Sequence, residues 1–142
     1  MTDCKSVFLD TAPFIYLLDE NERYIKQMQS LFDQFASSGV RMVTSVVTAE
    51  EYLIFPLRRN NTEKVSVFFE FCSDCDIQLV PVSLETAVKA AAIRAKYSHF
   101  KSMDALQLAV AVTMGCDIFL TNDKHLKQFD EINCCIIDEM ID

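Results

Sequence analysis

Residues 102–123 read Ser-Met-Asp-Ala-Leu-Gln-Leu-Ala-Val-Ala-Val-Thr-Met-Gly-Cys-Asp-Ile-Phe-Leu-Thr-Asn-Asp, and the fold is decided there. Ser102 is a suitable cap for a nearly all-apolar helix running to Met114, and Gly115 supplies a left-handed stop. The strand Ile118 to Leu120 follows at once, and an acid, Asp123, stands three residues beyond it. An apolar helix passing straight into a short apolar strand is one half of a parallel crossover unit, because the helix must bury its surface against the sheet that the strand joins.

Working outward, the same alternation fills the chain. Lys5 to Leu9 reads as a strand, followed by Ala12 to Leu18 and by a helical stripe of Tyr24, Ile25, Met28, Leu31, Phe32 and Phe35 that ends at Gly39. Val40 to Thr44 is a second strand. Helices are predicted over Thr48 to Leu57, stopped near Pro56, and over Thr62 to Cys72, with a strand at Ile77 to Val80. Ser83 caps a helix carrying Leu84, Ala87, Val88, Ala91, Ala92 and Ala95. After a short helical turn, Asn133 to Ile137 is the fifth strand. The prediction is an α/β protein of three layers with a parallel sheet covered on both faces.

Composition narrows the function. The chain has 142 residues, 51% of them apolar, which suits one domain of the usual roughly 100–150 residues. Only Gly39 and Gly115 are glycines, so there is no glycine-rich turn for a dinucleotide or a triphosphate. The longest uncharged stretch, Ala105 to Cys116, is shorter than the roughly 20 residues of a membrane span. The start, Met1-Thr2-Asp3-Cys4-Lys5, lacks the basic region of a secretory leader, and Cys4, Cys72, Cys75, Cys116, Cys134 and Cys135 form no regular framework. A reducing, cytoplasmic setting is expected. Cys72-Ser73-Asp74-Cys75 has half of a zinc-site spacing without a second half, and the thiols read better as small apolar residues. Net charge is −8, a sign that repels polyanions unless the acids are gathered and neutralised in one place.

In a parallel sheet, residues just after a strand and residues opening a helix share the carboxyl edge, where sites form. Asp10 and Asp123 follow strands there, and Glu50, Glu51 and Asp104 open helices there. Glu85 and Asp138 also reach that edge, whereas Asp76 and Asp117 precede strands on the opposite rim. Each acid has an ordinary alternative: Thr48-Ala49-Glu50-Glu51 has a capping-box pattern, and Asp104 suits a first helical turn. Asp10 has the weakest such alternative, since an apolar or turn residue would end its strand equally well. Two carboxylates about 5 Å apart repel by roughly 3 kcal/mol at an effective dielectric of 20. A hard divalent cation reverses that sign, and an all-oxygen donor set suits Mg²⁺ or Mn²⁺ rather than zinc. The implied chemistry is metal-assisted phosphoryl transfer.

Four segments stand out: Val7-Phe8-Leu9-Asp10-Thr11-Ala12, Ser45-Val46-Val47-Thr48-Ala49-Glu50-Glu51, Ser102-Met103-Asp104-Ala105-Leu106-Gln107-Leu108-Ala109 and Asp117-Ile118-Phe119-Leu120-Thr121-Asn122-Asp123. Together they resemble the PIN-domain ribonucleases, and among them the VapC-like toxins of toxin–antitoxin pairs. The resemblance spans nearly the whole chain. It implies a three-layer α/β/α PIN-like fold with a five-stranded parallel sheet in the order 3-2-1-4-5, which leaves Glu85 and Asp138 at the outside. It selects Glu51 over Glu50 and implies that Asp10, Glu51, Asp104 and Asp123 bind one or two Mg²⁺ or Mn²⁺ ions for hydrolysis of RNA phosphodiesters. It further implies a protein antitoxin and a homodimer.

Thr11, Ser45, Thr121 and Asn122 are candidates to orient those carboxylates. Arg58, Arg59, Lys64, Lys101, Lys124 and Lys127 are candidates for RNA phosphates. His99 and His125, in Lys-rich polar segments, read as surface residues rather than as a metal-free acid and base. Phe55 stands where many such sequences carry a small residue, which reshapes a groove; Lys101 stands where Arg is common. Two other classes compete: a non-catalytic PIN-like protein-binding scaffold, and a Mg²⁺-binding receiver-type signalling module. The receiver reading lacks a second acid beside Asp10 and any acid in Val80-Pro81-Val82.

Overall fold

In the computed structural model, which describes residues 3–141, five strands form one parallel sheet in the order β3-β2-β1-β4-β5. The strands are β1 (Ser6–Leu9), β2 (Arg41–Ser45), β3 (Gln78–Val80), β4 (Ile118–Thr121) and β5 (Asn133–Ile136). Between them run α1 (Thr11–Leu18), α2 (Ile25–Ser37), α3 (Val46–Arg58), α4 (Thr62–Asp74), α5 (Leu84–Lys96) and α6 (Ser102–Thr113). Met1 and Thr2, which belong to the leader reading, lie outside the described residues. No helix among the described residues is long and apolar enough to cross a membrane.

The strands bury both faces, and their period of two sorts side chains between two cores. Val7, Leu9, Met42, Ile118 and Leu120 face the side covered by α1 to α4, where Phe14, Met28, Phe32, Phe35 and Phe68 pack. Phe8, Val43 and Phe119 face the other side, against Ala90, Ile93, Leu108 and Ala109 of α5 and α6. Phe8 and Phe119, adjacent on β1 and β4, stack with centroids 5.1 Å apart.

At three helix ends the difference from the sequence reading has a local reason. α3 begins at Val46, not Thr48, because Ser45 is its N-cap, its hydroxyl accepting from the Val47 N–H at 3.1 Å. Thr48 is therefore a buried helical residue, and Glu50 and Glu51 lie beyond the first turn rather than in a capping box. α3 also continues through Pro56 to Arg58 instead of stopping before the proline. Ser102 is the first residue of α6 and not its cap; Lys101 holds the cap position, and the Ser102 hydroxyl accepts from the Arg94 guanidinium at 2.8 Å. Gly115, at φ +68°, ends α6 as expected.

Candidate active site

β1 and β4 are neighbours at the centre of the sheet, and the Asp10 N–H extends their pairing by donating to the Leu120 carbonyl at 3.0 Å. Asp10 is thereby fixed at the carboxyl edge, where it also caps α1. Its Oδ1 accepts from the Thr11 N–H at 2.9 Å and from Gln107 Nε2 at 3.2 Å. Its Oδ2 accepts from the Thr121 hydroxyl at 2.7 Å. Burial still outweighs these three bonds and raises the Asp10 pKa to about 6, and the negative charge of Glu51 adds to the rise.

Glu51 reaches the same edge from α3 and accepts from the Thr11 hydroxyl at 2.6 Å. Asp104, in the first turn of α6, has its pKa raised by burial and by the charges of Asp123 and Glu51; the Lys101 backbone and ammonium oppose the rise. Glu51 thus acts on Asp10 and Asp104, and Asp123 on Asp104, so one field joins all four acids. Asp123 caps the 3-10 helix Lys124–Gln128, its Oδ1 accepting from the His125 N–H at 3.0 Å, while its own N–H donates to the Thr121 hydroxyl at 3.1 Å. Among the described residues no three His, Cys, Asp or Glu side chains already close on one ion-sized point. The all-oxygen donor set nevertheless suits a hard divalent cation.

Beneath the acids lies a buried polar network that residue-by-residue reading missed. Gln107, 2% exposed, donates from Nε2 to Asp10 and, at 2.7 Å, to the Thr48 hydroxyl; its Oε1 accepts from the Ser45 hydroxyl. Thr44 donates to the Leu9 carbonyl at 2.7 Å and lies 2.8 Å from the Thr48 hydroxyl. The signal was present: a single amide in a nearly all-apolar helix, three residues after Asp104 and so on the same helical face. No buried side-chain nitrogen or oxygen among the described residues lacks a partner.

Of the orienting candidates, Thr11 and Thr121 bond directly to Glu51 and Asp10, and Ser45 acts through Gln107. Asn122 does not orient any of the four carboxylates. Its Nδ2 donates to the hydroxyls of Tyr16 and Tyr24 at 2.9 and 3.3 Å, and its Oδ1 accepts from the Asp138 N–H at 2.9 Å. Asn122 therefore ties the end of β4 to α1 and to the segment after β5. Asp138 accepts from the Tyr24 hydroxyl at 2.6 Å and pairs with Arg23.

The basic candidates divide similarly. Lys64 pairs with Asp19 at 2.6 Å and Lys127 with Glu139 at 2.7 Å. Lys101 lies within the electrostatic reach of Asp104, and Lys124 acts on Asp138. Arg58 lies over the Phe55 ring, 5.8 Å from its centroid, and Arg59 lines a cleft beside Glu51. His99 and His125 are exposed.

Fold and site together define a parallel α/β protein with an acidic centre at the middle of its carboxyl edge. The PIN domain family model matches residues 7–132, and the chain belongs to that family. Solved structures share the fold at low identity. The DNA-bound VapBC of Salmonella typhimurium aligns with a TM-score of 0.75 at 19% identity, covering 93% of this chain and 98% of that one. VapBC2 of Rickettsia felis, bound to a DNA fragment from its promoter, gives 0.74 at 12% identity, with coverages of 92% and 98%. VapC20 of Mycobacterium tuberculosis, a toxin that cleaves the sarcin-ricin loop, gives 0.68 at 18% identity, with coverages of 89% and 98%. A search of curated proteins by sequence found no match. Family membership replaces the receiver-type alternative.

Proposed function

We propose that this PIN-domain protein is a metal-dependent endoribonuclease, the toxin of a toxin–antitoxin pair. The observation that carries the reading is the single electrostatic field joining Asp10, Glu51, Asp104 and Asp123, with Asp10 left at a pKa of about 6 beside Glu51. A carboxylate buried at the centre of a sheet edge, with a second acid adding to its cost, is a burden to folding that a bound cation removes.

Asp10 and Asp104 are the principal ligands in this reading, Asp123 a ligand of the same or a second ion, and Glu51 a ligand or a water-positioning base. Mg²⁺ or Mn²⁺ held there would acidify a bound water and neutralise charge growing on the phosphoryl oxygens. Gln107 and Thr121 hold both Asp10 oxygens in fixed directions, and Thr11 holds Glu51, so neither carboxylate must reorganise to meet a ligand. Lys101 and the arginines of α3 supply positive charge for the RNA backbone, against a chain of net charge −8.

The likeness to VapBC complexes of Salmonella typhimurium and Rickettsia felis supports a protein antitoxin as partner, and a homodimer is proposed with it. Total RNA incubated with the protein in Mg²⁺ or Mn²⁺ is expected to yield discrete new 5′-phosphate ends. Asp10→Asn and Asp104→Asn should each abolish them. Equal cleavage in excess EDTA would overturn the metal mechanism, and no cleavage under any metal would favour the scaffold reading.

A further inference from the structure

Glu51, Phe55 and Arg59 succeed one another at intervals of four residues along α3, so an acid, an aromatic ring and a cation share one stripe, each step rising about 6 Å. Beside this stripe opens a cleft of about 340 Å³, lined by Glu51, Phe55, Arg59, Ile15, Asn61 and Tyr52 among others. That volume lies in the range of about 300–1,000 Å³ of clefts that hold small organic groups. Phe55 is 58% exposed. Nothing in the packing of the core demands so large an apolar ring in water.

The charges around the cleft leave one guanidinium over: Glu51 offsets one of Arg58 and Arg59, and the other can meet an anionic group. Asp19 is neutralised by Lys64 and accepts from the Tyr52 hydroxyl. Neither Arg58 nor Arg59 enters an ion pair among the described residues. Arg58 lies over one face of the Phe55 ring, so a planar group stacked on the opposite face would leave the ring between itself and a guanidinium. Asn61 caps α4 through Oδ1, which accepts from the Lys64 N–H at 3.0 Å, leaving its Nδ2 directed to no protein acceptor among the described residues. An aromatic platform, flanking cations and a free amide donor are the elements that bind an unpaired nucleotide.

We propose that the α3 cleft is a nucleobase subsite: one unpaired base of an RNA strand stacks on Phe55, with an adjoining phosphate held by Arg58 and Arg59. The strand then runs along α3 toward Glu51, so Phe55 selects single-stranded substrate and sets where the strand is cut. This assignment rests on the ribonuclease reading for its consequence in cleavage, but binding can be measured apart from it.

The chain contains no tryptophan, so Asp10→Asn/Phe55→Trp places a single indole in the cleft of a protein that does not consume its ligand. Titration with an unstructured RNA dodecamer should quench that indole saturably, and a duplex of the same sequence should do so at least about tenfold less tightly. In the otherwise unaltered chain, Phe55→Ala should raise KM for the dodecamer about tenfold or more, while Phe55→Tyr restores it. Because the ring is exposed, the far-UV spectrum of Phe55→Ala should match that of the parent. Unquenched fluorescence at RNA concentrations that saturate binding, measured by anisotropy of labelled RNA, would overturn the proposal. So would an unchanged KM in Phe55→Ala accompanied by loss of a bound partner protein, which would assign the cleft to that protein. Quenching in the double variant, alongside a parent chain that cleaves no RNA with any divalent metal, would sustain the subsite and refute the nuclease reading.

Discussion

Asp10 is held in an unfavourable state that the rest of the site explains. Its pKa stands near 6 against an ordinary 3.8, because burial penalises the carboxylate more than its three hydrogen bonds help it. An acid whose folded pKa exceeds its unfolded value loses stability as pH rises between the two. Metal-free protein should therefore weaken by up to about 3 kcal/mol between pH 4 and pH 6 from this group, then change little toward pH 7. Asp10→Asn should flatten that segment of a pH–Tm curve and raise the metal-free Tm at pH 7, while reducing cleavage at least about a hundredfold. A variant that lost stability at pH 7 would show the carboxylate to be structural. Gln107→Ala makes the complementary case: it strips a partner from Asp10 and leaves the hydroxyls of Ser45 and Thr48 buried without the amide. Chemical denaturation should show a loss of about 2 kcal/mol, and half-maximal cleavage should require more Mg²⁺.

At the scale of elements, the helix ends place the chemistry. Asp10 caps α1 and Asp123 caps the 3-10 helix after β4, so two of the four acids are aimed by the same bonds that begin those helices. Ser45 caps α3, which carries Glu51 beyond the first turn to reach Thr11. α6 is set at its far end by Gly115, whose φ of +68° favours a residue without a Cβ even though the space beside it is open. Gly115→Ala should therefore cost about 1 kcal/mol through backbone strain alone, with Gly115→Asn milder, as read by denaturation midpoints. An effect of several kcal/mol would point to a clash that the open space around Gly115 does not contain. The strands, the helix stripes and this glycine were legible in the sequence because they depend on periodicity and on local backbone preference. The start of α3 was not: Ser45 and Thr48 are both capping types three residues apart, and only the turn actually formed selects between them.

For the whole molecule, charge couples folding to cation binding. A chain of net charge −8 whose acids share one field gains stability when a divalent ion binds only the folded state. Millimolar Mg²⁺ or Mn²⁺ should raise Tm in the parent chain, and the rise should shrink sharply in Asp104→Asn; Ca²⁺-independent, metal-independent melting would contradict the proposed site.

The sequence by itself determined that strands and helices alternate, that the sheet is parallel and covered on both faces, and which acids stand at its carboxyl edge. Those properties follow from hydrophobic period and chain direction, which are written locally. Tertiary structure alone decided that Gln107 and Thr121 grip Asp10, that Thr11 grips Glu51, and that Asn122 serves Tyr16, Tyr24 and Asp138 instead. The bonds to Asp10 span 97 and 111 positions, that between Thr11 and Glu51 spans 40, and those from Asn122 to the two tyrosines span 106 and 98, so these partners meet only once the strands and helices have assembled.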